Sequence, residues 1–91
     1  MRGQELLTFV VYDIGDDGVR GRVANACKDY GLERVQYSAF RGSLDSSRRA
    51  ELATRLADTL GQETGRILVL PVCERDAQAK REFINEPHAH G

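Results

Sequence analysis

LLTFVVYDIGDDG, residues 6–18, decides the fold. From Leu6 to Ile14 the chain is nearly all apolar, β-branched or aromatic, broken by Thr8 and Asp13. Such a run reads as a strand buried on both faces, hence central in its sheet. Gly15–Gly18 reads as a turn, with Asp16 or Asp17 placed to cap a helix. Val19, Val23, Ala26, Cys27 and Tyr30 then recur at helical spacing. Gly31 supplies the stop.

Further along, ERVQYSAF (33–40) alternates as a strand, with Val35, Tyr37 and Ala39 on one side and Arg34, Gln36, Ser38 and Phe40 on the other. A bend near Ser38 splits it into two pairing segments that continue to Leu44. Asp45, Ser46 and Ser47 open a second helix, whose apolar stripe is Leu52, Leu56 and Leu60 with Ala53 and Ala57. Gly61 ends it. RILVLPV (66–72) reads as a second buried strand, with Pro71 near its end, where a lost ladder hydrogen bond matters least. Lys80–Ile84 reads as a short, weaker strand, and residues 85–91 as a disordered tail.

The order is βαββαβ plus one late strand. That predicts an α+β, ferredoxin-like single domain over residues 1–84. Two helices cannot cover both faces of a four-stranded sheet, so one face is expected to stay open. A second copy of the chain is the simplest cover for it.

Composition narrows the function classes only a little. The chain has 91 residues and a net charge of −1, which gives no global argument for nucleic acid. Its cations are nearly all arginine, lysine occurring only at Lys28 and Lys80, and arginine forks suit phosphate oxygens. A GC-rich genome gives the same bias. No apolar run has the length of a membrane span, and no leader opens the sequence, so the expected location is cytoplasmic with no membrane partner. Cys27 and Cys73 belong to no C-x-x-C pair and are expected to be buried free thiols. No RNP-type segment points to an RRM-like RNA binder.

Several motifs in order carry a resemblance. The first strand ends in Val11-Tyr12-Asp13. Arg20 and Arg22 start the first helix, and R-V-Q-x-S-x-F spans Arg34–Phe40. Gly42-x-Leu44 follows, then SSRRAELATRL in the second helix, and ILVLPVCE. Together they resemble the small CRISPR-associated adaptation proteins of the Cas2 family, over most of residues 6–84.

The resemblance implies a ferredoxin-like homodimer joined through its sheet faces. It also implies a part in CRISPR adaptation, the acquisition of new spacers, as an adaptor between the CRISPR integrase Cas1 and duplex DNA. Metal-dependent endonuclease activity on RNA, including single-stranded RNA, or on DNA goes with the family. The alternative from another class is a non-catalytic regulatory or small-molecule-sensing dimer of the same fold.

The site residues follow from the resemblance. Two copies of Asp13 converging on a two-fold axis would share one Mg²⁺ or Mn²⁺ ion at the dimer interface. Otherwise Asp13 only starts the turn. Arg20 and Arg22 are candidates for phosphate contact or for plain solvated surface, and their spacing keeps both from facing one site. Arg34, Ser38 and Phe40 share a strand face by period two, as phosphate ligand, hydroxyl donor and seam or core ring. Tyr12 orients the site through its hydroxyl or is simply buried with a partner. Tyr37 is expected in the core, Asp16 and Asp17 are expected to cap and turn, and His88 and His90 are given no role.

Overall fold

The computed structural model describes residues 5–73. Its elements are β1 (Leu6–Ile14), α1 (Asp17–Asp29), β2 (Glu33–Gln36), β3 (Ala39–Leu44), α2 (Ser46–Leu60) and β4 (Gly65–Val72). The sheet order is β2-β3-β1-β4, antiparallel throughout, which is the ferredoxin-like arrangement. The expected strand Lys80–Ile84 and the tail at 85–91 lie outside the described residues. Among the described residues no helix is long and apolar enough to cross a membrane.

Both helices begin on an aspartate. The Asp16 carboxylate accepts from the Val19 N–H at 2.9 Å, and that of Asp45 from the Arg48 N–H at 2.8 Å. Each satisfies one of the otherwise unpaired donors of a first helical turn. Past the end of α1, Gly31 takes φ +83°, a conformation that a side chain would strain.

One layer of side chains fills the space between helices and sheet. Val10, Tyr12 and Ile14 of β1 meet Val19, Val23, Ala26 and Cys27 of α1, Phe40 and Leu44 of β3, and Leu52 and Leu56 of α2. Gly42 of β3 lies under the chain at Leu32, where a Cβ would come within 2.6 Å of the Leu32 Cδ2.

Four expectations are corrected here. β1 is not buried on both faces: Thr8, Val10, Tyr12 and Ile14 are buried, whereas Val11 and Asp13 are exposed. The helices cover one side, and the other is apolar but open. β4 likewise has no buried residue, and among the described residues it is an edge strand with β1 as its neighbour. Tyr37, read as core, sits in a two-residue turn with β2 on one side and β3 on the other, and is 71% exposed. Cys73 is exposed, and only Cys27 is a buried thiol.

Candidate functional site

The alternation of β1 sorts the candidate residues onto two sides of the sheet. Odd positions Phe9, Val11 and Asp13 point to the open side, and even positions Val10, Tyr12 and Ile14 to the helices. Directly paired residues share a face. The open side therefore collects Leu70 opposite Phe9, Leu68 opposite Val11, and Arg66 opposite Asp13. From β3 it adds Arg41, opposite Phe9, and Ala39, opposite Val11. Val11, Leu68 and Leu70 are 40%, 50% and 43% exposed. Asp13 stands at the end of this apolar strip. A hollow of about 320 Å³ opens there between Val11, Tyr12 and Asp13 of β1 and Arg66, Ile67 and Leu68 of β4.

The other candidates gather on the helix side. Tyr12 is buried and stacks on Phe40, ring centres 6.3 Å apart and 19° from parallel. Arg34 lies over the Phe40 ring at 4.8 Å. Arg20 lies 5.5 Å from the centre of the Tyr37 ring. A smaller hollow of about 150 Å³ is lined by Tyr12, Arg20, Arg34 and Tyr37, among others. Burial pushes the Tyr12 phenol above its ordinary ionisation range, and the nearby Arg34 and Arg20 charges offset only part of that. Tyr12 is thus a neutral phenol well past neutral pH.

The arginines are largely committed within the chain. Arg20 donates to the Ile14 carbonyl at 2.9 Å and to the Asp17 carboxylate, locking the turn between β1 and α1. Arg34 donates to the Tyr37 carbonyl at 2.6 Å and closes the β2–β3 turn. Arg22 is exposed on α1, and among the described residues it forms no ion pair.

The shared strand face expected for Arg34, Ser38 and Phe40 is corrected. Arg34 and Phe40 pair across the hairpin, in register, with an irregularity between Arg34 and Gln36. Ser38 falls in the turn itself, where its carbonyl accepts from the Tyr12 N–H at 3.0 Å. The sheet also separates Asp13 from Tyr12, Arg20, Arg34 and Phe40: one carboxylate faces the open side, and the arginine–aromatic group faces the helices.

Similarity to known proteins coincides with this arrangement. The family model described as "CRISPR associated protein Cas2" matches residues 6–80. The chain belongs to the Cas2 family. A relative from Desulforudis audaxviator, named "CRISPR-associated endoribonuclease Cas2", is 47% identical over 74 residues, covering 81% of this chain and 70% of the relative. A Thermoproteus tenax protein named "CRISPR-associated endonuclease Cas1/endonuclease Cas2 fusion" is 39% identical over 92% of this chain and 32% of its own length. The crystal structure of Streptococcus pyogenes Cas2 at pH 6.5 superposes with a TM-score of 0.72 at 25% identity, covering 88% of this chain and 100% of that one.

Sequence reasoning did not single out Arg66, the only cation of β4. Its signal is positional. Only the β1–β4 register brings it opposite Asp13.

The open side of one chain offers a divalent ion few ligands among the described residues. Among the described residues no group of three or more His, Cys, Asp or Glu comes together. Magnesium needs only one or two carboxylates, its other positions being filled by water and phosphate. Among the described residues Asp13 is the carboxylate that one chain brings to this hollow, and two chains meeting at this end would offer a pair.

Proposed function

We propose that the chain works as a face-to-face homodimer in the cytoplasm, and that the dimer is an adaptor between the integrase Cas1 and duplex DNA during spacer acquisition. The observation that carries this is the open apolar strip Phe9, Val11, Leu68 and Leu70. Exposed contiguous apolar surface of this kind marks an interface. An isologous contact through it buries the same patch on both subunits. The Thermoproteus tenax relative, whose name joins Cas1 and Cas2 in one chain, supports Cas1 as the partner.

Phosphodiester cleavage of RNA or DNA is the second part of the reading. The names of the relatives as endoribonucleases support it. In the dimer the two Asp13 carboxylates would hold one Mg²⁺ or Mn²⁺. That ion, when bound, supplies Lewis-acid polarisation of a phosphoryl oxygen. Of the remaining candidates, exposed Arg22 is placed for phosphate contact from solution. Tyr12, Arg20, Arg34, Ser38 and Phe40 act by fixing the β1 end and the β2–β3 turn around Asp13. Binding needs none of the chemistry, and so the adaptor role leads.

Asp13→Asn separates the two parts. The expected result is a variant that still dimerises, more weakly because Arg66 loses its counter-charge, and still binds Cas1 and supports acquisition, while metal-dependent cleavage is lost. Loss of acquisition with the dimer intact would make cleavage essential. Failure of the wild-type chain to co-purify with Cas1 would end the adaptor reading.

A further inference from the structure

Asp13 and Arg66 are directly opposed across β1 and β4, and both side chains are exposed on the open side. They line the same hollow. Directly opposed residues in an antiparallel pair have Cβ atoms about 5 Å apart, within easy reach of a long arginine. Among the described residues the closed ion pairs are Arg20–Asp17 and Arg55–Asp29, so neither Asp13 nor Arg66 is committed to another charge.

The other charges on this side stand farther off. Arg41 is paired with Phe9, four residues along β1 from Asp13, or about 13 Å at the rise of a strand. That exceeds the Debye length at physiological salt, about 8 Å. Glu33 lies one strand beyond, opposite Arg41. Among the described residues Arg66 is therefore the charge that Asp13 feels on its own face.

Taken with the face-to-face dimer proposed above, on which this step rests, we infer that Arg66 is a built-in counter-cation that does the metal's electrostatic work at the interface when no metal is bound. Two Asp13 carboxylates brought together repel, and the repulsion grows as the interface excludes water. Each copy brings one Arg66 with its Asp13, so the four-charge cluster sums to zero without an ion. Guanidinium stays charged at all working pH values and is less strongly hydrated than ammonium, which suits it to a partly desolvated pair. Arg66 is thus a positioning residue: it stands opposite Asp13, within reach of its carboxylate, and leaves the phosphate to the ion. It makes assembly independent of metal and makes the ion compete with a resident cation for the carboxylates.

The test measures dimer dissociation constants for the full chain by analytical ultracentrifugation, in chelator and in magnesium. Wild type is expected to show the same value in both, within about threefold. Arg66→Gln is expected to weaken the dimer about tenfold or more in chelator and to recover in magnesium. Arg66→Lys should restore most of the chelator-resistant affinity, and Asp13→Asn in the Arg66→Gln background should remove the metal dependence. Circular dichroism checks that each variant folds. An Arg66→Gln dimer with equal affinity in both conditions would overturn the inference and leave the dimer standing. A wild-type dimer that falls apart in chelator would also overturn it. A monomeric wild-type chain would end both.

Discussion

The Arg34 guanidinium lies 4.8 Å from the centre of the Phe40 ring, its register partner across the β2–β3 hairpin. The same group donates to the Tyr37 carbonyl at 2.6 Å. One side chain thus covers a core ring and closes the turn beyond it. Replacing Arg34 by Ala is expected to cost about 1–2 kcal/mol, the scale of an exposed cation–π contact together with a solvent-exposed hydrogen bond. Urea unfolding of the variant measures it. An effect within experimental error would show that neither contact contributes to the stability of the hairpin.

Gly42 is fixed by contact. A Cβ there would meet the Leu32 Cδ2 at 2.6 Å and the Leu32 Cα at 3.2 Å. The side-chain carbon can turn away, but the backbone atom can move only with the segment between α1 and β2. Gly42→Ala is expected to destabilise by about 1–3 kcal/mol, the usual range for overpacking. Denaturant midpoints report it, and an unchanged midpoint would show that this segment shifts freely.

Much of the fold is legible in the sequence because its signals are local. Asp16 and Asp45 announce helix starts, Gly31 a stop, and the spacing of Val19, Val23 and Cys27 a buried face. What is not legible depends on partners outside the segment. LLTFVVYDI is apolar on both sides, and its composition cannot tell a face covered by helices from one left open. The bend near Ser38 is legible, but the Tyr37–Ser38 turn contains no Gly, Pro, Asn or Asp to fix its type, so the alternation of ERVQYSAF does not say which side chains fall inside the turn. The site suffers most from this. Period two groups Ser38 with Arg34 and Phe40, whereas the hairpin puts Arg34 against Phe40 and leaves Ser38 outside. Arg66 becomes Asp13's neighbour only through a register between strands some fifty residues apart, as the pair Asp13–Arg66 itself shows.

Cys27 gives a pH-dependent prediction. Burial pushes its thiol up to about 11 from an ordinary value of 9.0, with Arg34 and Arg55 offsetting part of the effect. The folded state holds this proton more tightly than the unfolded state does. The sign is therefore that stability is complete below the unfolded value and is lost as pH rises from about 9 through about 11. Cys27→Ala is expected to flatten the alkaline side of the stability curve at the cost of a small cavity. At pH 8, a thiol reagent should label exposed Cys73 fast and Cys27 only on unfolding. Equal labelling rates would show that the α1 face opens readily.

Leu70 tests the open side of the sheet directly. It lies opposite Phe9, and in the isolated chain it is 43% exposed. A substitution at such a partly exposed position has a modest effect on a lone subunit, within about 1 kcal/mol. In a face-to-face dimer the same position is desolvated, and an unpaired charge there costs several kcal/mol. Leu70→Arg is therefore expected to leave the circular dichroism spectrum and the unfolding midpoint of the monomer nearly unchanged while abolishing the dimer in light scattering. Leu68→Arg, paired with Val11 on the same strip, should do the same. Arg49 provides the control. It sits on α2, away from the strip, and donates to the Leu44 carbonyl at 3.1 Å. Arg49→Ala is expected to reduce stability slightly and leave the oligomeric state alone. If Leu70→Arg dimerised as tightly as wild type, the chains would have to meet through another surface. The two Asp13 side chains would then have no reason to converge.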